Sequence, residues 1–437
     1  LCATRLPFET NDALELVHSH LARDPVPLHE IAPNIPAALS DIVAKLMAKM
    51  PEDRYQSAHG CWYDLSECIR QLDETGAIER FALGRKDQPE RFQLSSRLYG
   101  REREHQLIHA AFAQVTNGAK KMLLIGGAPG IGKSTLIRAL GDSIGSDGHY
   151  LEGKFGQYHR NVPYSALAQA FGALMHTLAA ETEAQLEQWR GALSQALGVS
   201  AGVLIELIPE LEFLLGPQPP VPQLGPSETE NRFHHLFRSF VEVLCRDRPL
   251  IVFLDDLQWA DHASLRLIKL MLTDPAVSRL LFIGAYRDDE VDAAHPLATT
   301  IEQLSSDQAD IESISLRPVA VEHIQDLIAD TLRRPPSDCA ELAALVMTKT
   351  NGNPFFVRQF LLALYHDRLL AFDRGLRQWS WELSAIRALD YTDNVVELMI
   401  SRIRQLPDAT QRALRFAACL DSGFDLAGLA ILCEDSH

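Results

Sequence analysis

Along this chain the apolar residues change rhythm repeatedly, and the changes outline its parts. From Leu250 to Leu254 five apolar residues stand without interruption, as in a parallel strand buried on both faces. Leu280–Ala285 and Ile311–Leu316 have the same short apolar character, the run from Met122 reads as another buried strand, and Tyr150–Phe155 makes a fifth. Between them the period lengthens to that of helices. Five strands separated by helices predict an α/β fold, a doubly wound parallel sheet, over residues 98–318. A long, mostly helical insertion, 163–246, interrupts it, broken by the irregular run PQPPVPQLGP at 217–226.

Outside that core the pattern is helical. Residues 11–23 place Leu14, Val17 and Leu21 at helical spacing, Ala37–Met50 puts Leu39, Ile42, Val43, Leu46 and Met47 on one face, and a third helix fits Ser57–Leu72 with Ser57 as N-cap. Residues 73–97 lose periodicity and gather charge, which reads as a linker, with Phe81 and Phe92 available to pin it. After the core, Val321–Leu332 and Cys339–Thr348 predict a helical lid over 319–372. Residues 376–383 alternate like a hairpin arm, and Val395–Leu406, Ala409–Leu420 and Leu426–Cys433 suggest an incomplete helical or winged-helix-like domain over 373–437. The chain starts at Leu1 and stops after an apolar run, so both ends are expected to be cut from something longer.

Composition narrows the function. A net charge of −17 argues against a broad nucleic-acid footprint, which needs a surplus of Lys and Arg. No apolar run approaches the roughly 20 residues that span a bilayer. Seven cysteines without a C-x-x-C motif suit a reducing compartment, and a cytoplasmic location is the expectation. His18 and His20 lack neighbouring ligands, and Cys61 and Cys68 are better explained as core residues than as a redox pair.

The chemistry concentrates in two runs. In MLLIGGAPGIGKST, Gly127, Gly132, Lys133 and Ser134 stand at the G-x-x-x-x-G-K-[ST] spacing of a phosphate-binding loop. Without a Cβ, Gly127, Gly130 and Gly132 let the backbone of Gly127–Thr135, through Ala128, Pro129 and Ile131, turn its N–H groups toward a polyphosphate. The helix that follows aims its positive end at the same place. Lys133 would reach the β- and γ-phosphates and assist catalysis, and the Ser134 hydroxyl would ligate Mg²⁺. A glycine-rich turn without a ligand is the competing explanation; the strand before, the helix after and an acidic strand downstream weigh against it. That strand, in PLIVFLDDLQWAD, ends in Asp255 and Asp256. Asp255 is expected to hold Mg²⁺, and Asp256 to orient the attacking water as the catalytic acid–base residue. The expected ligands are ATP or ADP with Mg²⁺.

Several further runs carry family resemblances. LYGREREHQL, with Gly100 and Arg101, resembles the h-G-R-E-x-E segment of signal-transducing STAND-type ATPases, relatives of the AAA group, where it lines the adenine pocket. The same resemblance makes Arg287, after LLFIGAY, the γ-phosphate sensor, and has Gly352 and Pro354 of NGNPFF pack on the nucleotide. It also implies that the arginine-bearing strand lies between the other two. Asp256 departs from the glutamate common in AAA ATPases and reaches one methylene less far, from which slow turnover and a nucleotide-switch role are expected. LPFETNDALELVHSHL and LSDIVAKLMAKMPEDRYQSAHGCWYDL resemble the last C-lobe helices of a bacterial Ser/Thr protein kinase, residues 1–72, with Arg54 at the position that normally pairs with a glutamate. That glutamate and every kinase catalytic motif are missing, so this segment cannot phosphorylate anything by itself.

The whole order looks like the middle of a bacterial signalling protein that joins a Ser/Thr kinase, an AAA-like ATPase and a sensor histidine kinase of two-component type. Its implied partners are the covalently linked kinase and sensor domains, with self-association also open, and neither membrane nor direct nucleic-acid binding. An ATP-binding transcription regulator and a working kinase with an upstream catalytic lobe are the alternatives.

Overall fold

The structure is a computed structural model that describes residues 6–8, 16, 19, 23–87, 92–157, 162–219, 221–222, 225–373, 375–388, 400, 403–404, 406–418 and 426–434. The helix expected over 11–23, with His18 and His20, falls almost wholly outside them, as does most of the helix expected over 395–406. In chain order the main elements are α1 Ala37–Leu46, α2 Ala58–Thr75, α3 Glu102–Thr116, β1 Lys120–Gly126, α4 Lys133–Ile144, β2 His149–Lys154, α5 Ser165–Ala179, α6 Glu183–Leu197 and α7 Pro226–Leu244. They continue with β3 Leu250–Asp255, α8 His262–Thr273, β4 Leu280–Tyr286, α9 Pro296–Ser306, β5 Ile311–Ser315, α10 Val321–Leu332, α11 Pro336–Thr350 and α12 Pro354–His366. The hairpin strands β6 Leu370–Asp373 and β7 Gln378–Trp381 and the helices Asp408–Ala417 and Leu426–Glu434 follow.

The chain divides into two compact units. One comprises Gly100–Val319, Asn351–Phe356 and Tyr391–His437. It holds a five-stranded parallel sheet in the order β2-β3-β4-β1-β5, so the arginine-bearing strand does lie between the P-loop strand and the aspartate strand. The apolar runs predicted this burial: every residue of β3 is buried, and Leu250, Ile251, Val252 and Phe253 have no exposed surface. The insertion shares the same core, with Phe171, Phe237 and Phe240 packed among α5 and α7. Gly153 of β2 lies so close to α5 that a Cβ there would stand 2.1 Å from the Ala166 carbonyl oxygen.

The other unit comprises Leu1–Tyr99, Ala320–Thr350 and Val357–Asp390. Helix α1 stops at Leu46, four residues before the expected Met50, which Pro51 keeps in extended backbone at φ −75° and ψ 130°. Arg54 closes this end by donating to the carbonyls of Ala48 at 2.7 Å and Lys49 at 3.2 Å. Ser57 caps α2 as expected, its hydroxyl accepting from the Gly60 amide at 3.0 Å.

The stretch read as a linker is tied down along its described length. Helix α2 runs to Thr75 and ends at left-handed Gly76, after which Ile78, Phe81 and Leu83 pack around Ala38, Ile42 and Cys68. Asp87 accepts from the Gln56 amide at 2.8 Å and the Ser57 amide at 2.9 Å, at the N-terminal end of α2. Phe92 stacks on Tyr365 at 4.9 Å and meets the edge of Trp379 at 5.5 Å. The Tyr99 hydroxyl donates to Asp330 at 2.8 Å. Cys61 and Cys68 are free thiols in the α1–α2 packing.

Candidate nucleotide site

Register decides what meets at the C-terminal edge of the sheet. In parallel pairing Gly126 is opposite Tyr286, Leu254 opposite Gly284 and Lys154 opposite Asp255, so the ends of four strands stand level. Ligands bind at this edge in open α/β sheets. The P-loop leaves β1 here and is forced by its own backbone. Gly127, Gly130 and Gly132 have φ of 149°, 75° and 100°. At Gly130 a Cβ would also lie 2.8 Å from the Phe355 Cβ, so this position needs glycine for two reasons.

The observation that ties the two motifs together is one hydrogen bond. The Ser134 hydroxyl donates to Asp255 Oδ2 at 2.8 Å, across 121 residues of sequence. A hydroxyl and a carboxylate so placed are hard oxygen donors of the kind Mg²⁺ takes while keeping most of its waters. Burial pushes the Asp255 carboxyl above its ordinary range, and the charge of Asp256 adds to this, with the Ser134 hydrogen bond opposing. Burial likewise depresses the Lys133 ammonium, which donates to the Gly127 carbonyl at 2.6 Å and the Ala128 carbonyl at 3.1 Å. A buried carboxylate and a buried ammonium thus flank a loop of inward-turned backbone, and both charges are better served by a metal and by phosphate.

Asp256 follows in left-handed backbone, φ 54°, which turns its side chain out of line with the strand. Gln258 Nε2 donates to its Oδ1 at 3.0 Å, Lys154 stands 3.4 Å from its Oδ2, and Arg287 Nε lies 3.7 Å from Oδ1. Arg287 is held from several sides. Its amide donates to Gln258 Oε1 at 3.2 Å, Nη1 pairs with Glu290 at 2.7 Å, and its guanidinium lies 5.1 Å from the centre of the Trp259 ring. Trp259 in turn donates to Glu290 at 3.0 Å.

Arg101 is buried behind the P-loop and donates to the carbonyls of Ile131 at 3.1 Å and Arg317 at 2.7 Å. Desolvation lowers its pKa, with Glu104 and Glu102 opposing. Gly100 has φ 65°, and α3 begins two residues beyond it at Glu102. The GNPFF run belongs to the core unit. Gly352 accepts from the Val319 amide at 2.9 Å, and the Phe355 amide donates to the Gly130 carbonyl at 3.2 Å. Pro354 opens α12, where its missing N–H costs nothing.

Sequence reasoning did not single out Lys154, Gln258, Trp259, Glu290 or Asn353. Asn353 donates to the Pro129 carbonyl at 2.9 Å and caps α12 by accepting from the Phe355 amide at 3.1 Å. Its place just before a helix-opening proline was the available signal.

Residues 97–283 match the family model of the AAA ATPase domain. Hybrid signal transduction histidine kinase G of Dictyostelium discoideum is 29% identical over 99% of this chain and 15% of its own length. The peroxide stress-activated histidine kinase mak3 of Schizosaccharomyces pombe is 20% identical over 94% of this chain and 21% of its own. The chain therefore spans a small part of these relatives, and their names carry histidine kinases, neither a bacterial setting nor a Ser/Thr kinase. Among solved structures, the ORC2 protein of Aeropyrum pernix aligns over 79% of this chain and 81% of its own at 14% identity, TM-score 0.39. Cdc6p of Pyrobaculum aerophilum aligns over 63% and 65% at 15% identity, TM-score 0.36. Taken with the strand order and the Ser134–Asp255 bond, the family match over 97–283 supports placing this segment in the P-loop ATPase superfamily.

Proposed function

We propose that residues 98–318 bind ATP with Mg²⁺ and hydrolyse it slowly, as a STAND-type nucleotide switch within a larger cytoplasmic kinase protein. The hydrogen bond from Ser134 to Asp255 carries this reading, because it brings the hydroxyl and carboxylate of the two motifs to one point. Ser134 and Asp255 would hold Mg²⁺, which would supply electrostatic neutralisation of phosphate charge. Lys133 would release the P-loop carbonyls and hold the phosphates. Asp256 would orient the attacking water, in competition with Gln258, Lys154 and Arg287 for the same two oxygens. That competition agrees with slow turnover. Arg287 would exchange its acidic partners for the γ-phosphate, and release of that phosphate would return it to them. Gly100 and Arg101 would line the adenine pocket and Gly352 and Pro354 would pack on the nucleotide, while Arg101 and Asn353 hold the loop through the carbonyls of Ile131 and Pro129.

The named relatives are histidine kinases, and the first 72 residues resemble the end of a Ser/Thr kinase lobe, so the switch is proposed to serve linked kinase and sensor domains. No described helix is long and apolar enough to cross a membrane. The test is nucleotide binding and turnover on the full chain. Lys133→Ala and Asp255→Ala are each expected to cut ATP affinity or turnover at least tenfold, given about 1.5–3 kcal/mol for a hydrogen bond to a charged group. If neither changes either quantity, the site assignment is wrong.

A further inference from the structure

The unit holding α1 and α2 contains a second concentration of charge, of the opposite sign to the chain as a whole. Three segments far apart in sequence surround one cleft of about 460 Å³. Arg85 and Lys86 come from the stretch after α2, Arg333 and Arg334 from the corner between α10 and α11, and Arg377 from the β6–β7 loop. Asp338 is the one acid lining it among the described residues, and it is paired with Arg334 at 2.9 Å. Among the described residues, five cationic side chains and one carboxylate thus line this cleft, in a protein whose net charge is −17.

The cations of the cleft are held to different degrees. Arg334 is held in place: it donates to Gln378 Oε1 at 2.7 Å and lies 5.8 Å from the centre of the Trp381 ring. Arg333 and Arg377 both sit in left-handed backbone, φ 49° and 51°. A residue with a Cβ costs about 1–2 kcal/mol there, so glycine would be cheaper at both positions. Arg85 and Lys86 are exposed, and neither is in a hydrogen bond or a close ion pair among the described residues, although the charge of Glu67 acts on Arg85. A merely solvated basic face would spread its charges to relieve their repulsion; here three segments converge them.

We propose that this cleft binds a small molecule carrying two or more linked phosphate groups. The planar fork of Arg334 suits phosphate oxygens, and the exposed Arg85 and Lys86 supply two further cations, more than a single monoanion would balance. The volume is that of a small-molecule site and exceeds the needs of one phosphate. Leu376 and Pro335 add an apolar wall for the rest of the molecule. The assignment does not depend on the P-loop.

The experiment is calorimetric titration of inorganic pyrophosphate into the full chain carrying Lys133→Ala, with and without Arg85→Ala plus Lys86→Ala. Saturable binding to one site is expected, weakened at least tenfold by the double substitution and by raised salt, with inorganic phosphate binding more weakly than pyrophosphate. Residual uptake at the P-loop would ignore the double substitution. No saturable binding, binding indifferent to Arg85 and Lys86, or equal affinity for phosphate and pyrophosphate would overturn the proposal.

Discussion

Arg287 shows how much a single side chain depends on its neighbours. Its guanidinium is shared between Asp256, Glu290 and the face of Trp259. A group already satisfied in this way gains from a new anion only if the anion outbids the carboxylates; in the proposed role a γ-phosphate with its larger charge would do so where ADP would not. Replacing Arg287 with Ala should therefore weaken ATP binding by about tenfold, within the range for a charge-assisted hydrogen bond. ADP binding should stay within about threefold, since each 1.4 kcal/mol is a factor of ten and no ADP contact is removed. Parallel titrations of ATP and ADP measure the ratio; equal losses for both would mean that Arg287 only braces the loop. The motif residues themselves were legible one by one, because glycine, lysine and serine at fixed spacing have few other uses. Gln258 and Trp259 were not. Their roles depend on the left-handed turn at Asp256, which no local pattern announced.

At the scale of elements, apolar runs predicted the strands well because a strand buried on both faces has no polar position to blur it. β3 and β4 are found within a residue of their expected ends. Helix ends were harder, since α1 stops where a proline and an arginine from outside it intervene. Lys154 escaped notice for a related reason: it reaches Asp256 only through the β2–β3 register. The segment from 73 to 97 read as a linker because its anchors lie far off, as with Arg97 and Asp330, the acid that Tyr99 just past its end also reaches.

That anchor has a measurable consequence. Burial, together with the hydrogen bond to Asp330, pushes the Tyr99 hydroxyl up to about 12. The folded form then keeps a proton that the unfolded chain releases near pH 10, so stability falls as pH rises from about 10 through 12. Wild type should lose on the order of 1 kcal/mol more than Tyr99→Phe across this window, after discounting for partial exposure. Urea unfolding of both proteins at pH 9 and pH 11.5 tests it; parallel curves would mean that Tyr99 titrates alike folded and unfolded.

For the whole molecule, the division into units does not follow the order of the chain. The core takes Asn351–Phe356, the connection after α11 and the first three residues of α12, while α11 and the rest of α12 belong to the second unit. The residue pattern alone did not show this, since GNPFF reads adequately as a helix stop followed by a helix start; only the resemblance, which has Gly352 and Pro354 pack on the nucleotide, pointed to the core. Its effect is that Asn353, 224 residues beyond Pro129, closes the outer side of the phosphate loop. A fragment cut at residue 318 would look like a complete ATPase by motif and by strand count. It is expected to bind ATP at least tenfold more weakly than the full chain, in line with about 1–3 kcal/mol for hydrogen bonds lost at Pro129 and Gly130. Matching affinities would mean that the hexapeptide is dispensable. Anyone dissecting this protein into pieces for expression should therefore let the boundary be set by the carbonyl that asparagine grips, and carry the clone past Phe356.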